Sequence, residues 1–94
     1  MAKFDFHQTI LGKRYRIRTA KNLATRGSAD RQDVPQKEIR ISTELMGEEL
    51  LEVLLHELQH AALWHLSETY VTESSRSIAA AIYKAGFRYY DQKK

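Results

Sequence analysis

The sequence of 94 residues predicts an α+β domain: a small antiparallel or mixed sheet of about three strands packed on a helical hairpin. Three observations predict it. Polar and apolar residues alternate through several stretches of the first 42 positions, which is the period of a strand with one covered face. From Leu50 onward apolar residues recur at helical spacing. Strand-like segments precede helix-like ones without interleaving, the order of an α+β rather than an α/β chain. The length suits a single domain over residues 1–94, with a core but little to spare.

The first element is "KFDFHQTIL", where Phe4, Phe6 and Gln8 alternate with Asp5 and His7. Gly12 and Lys13 supply a turn, and "RYRIRTA" alternates again with Tyr15 and Ile17 on one face, so the two segments form a hairpin. "NLATRGSADRQDVPQ" gathers Gly27, Ser28, Asp30, Asp33 and Pro35 and reads as a loop. "KEIRIST" follows with Ile39 and Ile41 inward and Glu38 and Arg40 outward. That charged outer face places residues 37–42 at an accessible sheet edge. Gly47 opens the long helix, expected over residues 48–66, with Glu48 and Glu49 where the helix dipole favours acids. Its apolar residues occur on nearly all sides, so it is central and covered. Ser67, Glu68 and Thr69 break the chain, and a second helix runs to about Ala85 with Gly86 as its cap. "RYYDQKK" is a polar tail.

Charge is segregated along the chain. Residues 1–40 carry ten Lys/Arg against four Asp/Glu, residues 41–75 carry seven Glu and no base, and residues 76–94 carry five bases and one acid. The acidic middle attracts cations. The basic first third, including "KRYRIR", is a solvated face or a weak nucleic-acid contact, and it lacks any recognised nucleic-acid motif. No run of about 18 apolar residues is present, so no membrane-spanning helix is expected. The first residues alternate instead of forming a signal-peptide core, and there is no cysteine. A cytoplasmic location is therefore expected, and any metal must take histidine and carboxylate ligands.

The chemistry sits at His56-Glu57-Leu58-Gln59-His60, an H-E-x-x-H within the apolar helix. Residues at i and i+4 project from one face, so His56 and His60 can converge on one ion. Glu57 lies about 100° round the helix from His56, near enough to serve as general base without being a ligand. A catalytic zinc ion needs a third protein ligand and an open position. His7, His65, Glu68 and Glu73 are the candidates. If the helices reverse near residues 66–67, Glu73 lies level with His60, Glu68 has barely left the turn, and His65 faces away by about 140°. That count selects Glu73, with the small residues Ser77 and Ala80 on its face allowing close helix approach. Glu52, one turn before His56, is placed either to orient its ring or to face solvent. Trp64 is expected in the core.

These residues resemble a known family. HELQH followed by a glutamate on the next helix is similar to the zincin metallopeptidases of the gluzincin type. "KEIRI", "ELLEVLLHELQH" and "YVTE", with Gly27 and Asp30 before them, resemble the compact ImmA/IrrE-like and phage-encoded minimal metallopeptidases over roughly residues 25–88. The resemblance implies a minimal zincin in which His56, His60 and Glu73 hold Zn2+ and Glu57 is the general base. The metzincin pattern is excluded, because Leu63 and Leu66 stand where it requires glycine and histidine. A SprT-like arrangement takes a histidine beyond the motif helix and would require His65 to be redirected. Tyr70, Tyr83 and Arg76 are candidate donors to an oxyanion, and the sequence selects none of them.

The function expected from these readings is zinc-dependent hydrolysis of a peptide or protein substrate bound along the 37–42 strand. Two other readings stand beside it: a non-catalytic zincin-fold module that binds a protein partner, and a nucleic-acid-associated protein using the basic N-terminal hairpin.

Overall fold

Alternation in the first twenty residues becomes a β-hairpin. In the computed structural model, which describes residues 1–90, β1 (Asp5–Ile10) pairs antiparallel with β2 (Lys13–Ala20). Leu11 and Gly12 join them, both with positive φ, the backbone that a two-residue hairpin turn demands. The charged end of the expected tail, residues 91–94, lies outside the described residues.

The loop expected after the hairpin contains a strand, β3 (Gly27–Ala29). It pairs antiparallel with β4 (Lys37–Ser42), and β4 also pairs in parallel with β2 along its whole length. The sheet is therefore mixed and four-stranded, in the order β1-β2-β4-β3. This corrects the expected edge position of residues 37–42: β4 is internal, and β3 is the edge on that side. The charged residues of β4 misled because they face the uncovered side of the sheet, not its rim. There Glu38 accepts hydrogen bonds from Arg16, Arg18 and Arg40, and Arg40 also binds Asp30. Asp5 accepts two more hydrogen bonds from Arg16, which hold its carboxyl below the usual range. Three arginines of the basic N-terminal third are thus committed to carboxylates of the same sheet.

The opposite face of the sheet carries Tyr15, Ile17, Ile39 and Ile41, all fully buried. They pack with Leu50, Val53 and Ala61 of α1 (Gly47–Ala62), as the alternation predicts. The helix is one turn shorter than expected. Leu63 leaves helical geometry, and Gln32 Nε2 donates to the terminal carbonyls of Ala61 and Ala62, satisfying groups that would otherwise continue the ladder. Leu63 and Trp64 consequently fall in the turn and are exposed, which corrects the core assignment of Trp64. The second helix, α2 (Glu68–Lys84), starts at Ser67, whose hydroxyl accepts from the Tyr70 N–H as an N-cap. Gly86, at φ +102, follows its end. Val71, Ser75 and Ala79 are its buried stripe, while Ile78 is exposed. Among the described residues no helix is long and apolar enough to cross a membrane.

Candidate metal centre

The last two turns of α1 and the first turn of α2 meet at His56, His60 and Glu68. His56 Nε2 and His60 Nε2 are 3.2 Å apart. Glu68 spans them, with Oε1 at 2.9 Å from His60 Nε2 and Oε2 at 3.0 Å from His56 Nε2. The three side chains offer donor atoms that all lie within 4.8 Å of one another. A tetrahedral zinc ion with ligands at about 2.0–2.1 Å separates its ligand atoms by about 3.3 Å. The spacing here falls slightly short of that, so the donor set fits such an ion with little movement. Two imidazole nitrogens and a carboxylate also have the chemistry zinc prefers.

Glu68, and not the expected Glu73, is the α2 carboxylate that the structure brings to the two histidines. With the turn spanning residues 63–67, the first residue of α2 already faces the histidines. Glu73 comes five residues later, about 7.5 Å further along the axis and about 140° round it. It is exposed and lies outside the cluster. His65 is exposed in the turn, and His7 lies on β1. Neither joins the cluster. The side chains of His56 and His60 are about one-fifth exposed, whereas that of Glu68 is 70 % exposed, so the site opens towards α2.

Glu57 projects from α1 beside the pair and is only 8 % exposed. Burial pushes its carboxyl up to about 7; positive charge on His60 opposes the rise and the Glu68 carboxylate adds to it. A carboxyl with that affinity for protons is suited to taking and returning one near neutral pH. Gly27 of β3 makes its position tolerable. A Cβ there would lie 2.9 Å from Val53 Cγ1 and 3.2 Å from both Arg40 O and Glu57 Cγ. Glycine thus lets the edge strand press directly on the motif helix. The sequence offered only a glycine in a polar stretch, and no local signal marks it as a wall of the site.

A cleft of about 400 Å³ runs past His56 and Glu57 between β3 and α2. Gly27 and Arg26 line one side, Glu68, Thr72 and Arg76 the other. Of the three oxyanion candidates, Arg76 is in this cleft. Tyr70 is exposed, and Tyr83 packs under the Arg88 guanidinium instead. Glu52 lines the cleft, where its carboxylate is 3.7 Å from Arg76 Nε. Trp64 stands edge-on to the His60 ring, 6.0 Å between centroids.

An H-E-x-x-H helix packed against a sheet, with a third donor converging from the next helix, defines a zincin-like site. The model described as the SprT-like family matches residues 2–76, and the chain belongs to that family, which is zincin-like and metallopeptidase-related. No curated protein and no solved structure matches it.

Proposed function

We propose that this protein is a zinc-dependent peptidase in which His56, His60 and Glu68 hold the ion and Glu57 is the general base. The observation that carries the reading is the convergence of three donors beside a buried carboxyl, at the head of an open cleft. The carboxylate in third place is the feature shared with gluzincins and with the ImmA/IrrE-like peptidases that the motif pattern resembles.

When bound, zinc supplies Lewis acidity, polarising a carbonyl and acidifying water. Everything else falls to the chain. Glu57 takes the proton of the attacking water and returns it to the leaving amine. Its burial keeps the proton-bound form accessible near neutral pH. The substrate lies along β3 as an additional strand. Arg26 O accepts from Ser42 N and Asp30 N donates to Glu38 O, so the even-numbered residues of this stretch face β4. By alternation the backbone groups of Gly27 and Ala29 point to the free edge. The Thr25 hydroxyl donates to Gly27 O, in keeping with that outward direction.

Zinc-loaded protein is expected to hydrolyse members of a peptide library, and Glu57→Gln to abolish hydrolysis while retaining stoichiometric zinc. Hydrolysis that survives in Glu57→Gln would remove the base from the proposal.

A further inference from the structure

The cleft extends past His56 to Thr72 and Arg76, which neither belong to the donor cluster nor act as the base. Glu68, Thr72 and Arg76 follow one another at i, i+4 and i+8 on α2, so one face of that helix forms the wall. Arg76 lies about 12 Å beyond Glu68 along the axis. Its side chain reaches to 3.7 Å from the carboxylate of Glu52, one turn before His56 on α1.

Arg76 differs from the other arginines that meet carboxylates in this fold. Arg16, Arg18 and Arg40 are hydrogen-bonded to acids of the sheet, and Arg26, on the opposite side of the cleft, is bound to Glu49. Arg76 approaches Glu52 only to 3.7 Å, beyond hydrogen-bond range, and makes no hydrogen bond among the described residues. Its side chain is 66 % exposed and presents five N–H donors at the distal end of the cleft.

We propose that Arg76 determines specificity by binding an acidic side chain of a peptide lying in the cleft. The proposal rests on the peptidase reading above. A planar guanidinium matches a carboxylate in two parallel hydrogen bonds, which Glu52 at its present distance does not supply. An extended peptide advances about 3.3 Å per residue. The 12 Å between Glu68 and Arg76, shortened by the reach of the two side chains, puts the acidic residue about two to three positions from the bond held at the histidines. Because the pair is exposed, the preference is modest, about fivefold.

The test uses dye-labelled peptides identical except for Glu, Gln or Lys placed two to four residues on either side of a central bond. Their affinity for zinc-loaded Glu57→Gln protein is read by fluorescence polarisation, and their cleavage by the unsubstituted protein is followed in parallel. One Glu position is expected to bind about fivefold more tightly than its Gln counterpart. Arg76→Gln, made in the Glu57→Gln background, should erase that difference, and Arg76→Glu should transfer the preference to Lys. Equal affinity for Glu and Gln peptides overturns the proposal, as does a preference that persists in Arg76→Gln, or no binding of any peptide. A preference that vanishes with Arg76→Gln while no peptide is cleaved would remove the hydrolytic reading and leave the role of Arg76 standing.

Discussion

Replacing Glu57 by glutamine should stabilise the metal-free protein at alkaline pH. Burial raises the Glu57 carboxyl from an ordinary value of 4.5 to about 7, so between those values the folded chain holds a proton that the unfolded chain has released. The folded state binds the proton more tightly, and stability therefore falls as pH rises from about 4.5 through 7. Each unit of difference corresponds to about 1.4 kcal/mol. Over the window from pH 5 to pH 8 the loss attributable to Glu57 is about 2–3 kcal/mol, a large part of the stability of a domain this small. Glutamine occupies the same space and carries no charge, so its stability lacks this component. Urea unfolding of both proteins at several pH values, with chelator present and ellipticity as the signal, measures the difference. The gap between the two should open steadily from pH 5 to pH 8 in favour of glutamine. Parallel pH profiles would refute the reasoning, since they would mean that the Glu57 carboxyl ionises as readily in the folded protein as in the unfolded chain.

Three further substitutions probe how the site is supported. Gly27→Ala forces a methyl group to within 2.9 Å of Val53 Cγ1, and the overpacking should cost about 1–3 kcal/mol in urea unfolding; unchanged stability would show that β3 does not press on α1. Gln59 joins the helices through its amide, donating to Ser75 Oγ at 2.7 Å and accepting from Ser74 Oγ at 3.1 Å. Gln59→Ala leaves the fully buried Ser75 hydroxyl without that partner and should cost about 1–3 kcal/mol, measured the same way. Gln32→Ala removes the hydrogen bond to Ala61 O at 2.7 Å and should cost about 1 kcal/mol, with earlier amide exchange in the last turn of α1.

Much of this organisation is legible in the sequence because it rests on local periodicity. The alternation of Tyr15 with Ile17 and of Ile39 with Ile41 marks the buried face of the sheet, and H-E-x-x-H places His56, Glu57 and His60 by helix geometry alone. What remained hidden depends on contacts between distant segments. Glu38 and Arg40 look like an exposed rim, yet they face the open side of an internal strand and are balanced there by Arg16, Arg18 and Asp30. β3 has only three residues and a glycine, too short to show a period, and is specified by its pairing with β4. The clustering of Glu68 with the histidines was hidden as well, because axial counting gives the level of a residue and not the face it occupies. The apolar run past Ala62 suggested that α1 continues, whereas Gln32, 29 residues upstream, ends it by satisfying its last carbonyls. Glu68 then opens α2 within reach of both histidines.

Zinc affinity of the single variants tests the central claim most directly. Protein purified without a histidine tag, stripped of metal and titrated with zinc against a chromophoric chelator gives the affinity of each. Glu68→Ala, His56→Ala and His60→Ala should each weaken binding by at least about a hundredfold, as loss of one of three protein ligands requires. Glu73→Ala should bind as the unsubstituted protein does. Loss of binding in Glu73→Ala with retention in Glu68→Ala would contradict the account, placing the third ligand five residues further along α2.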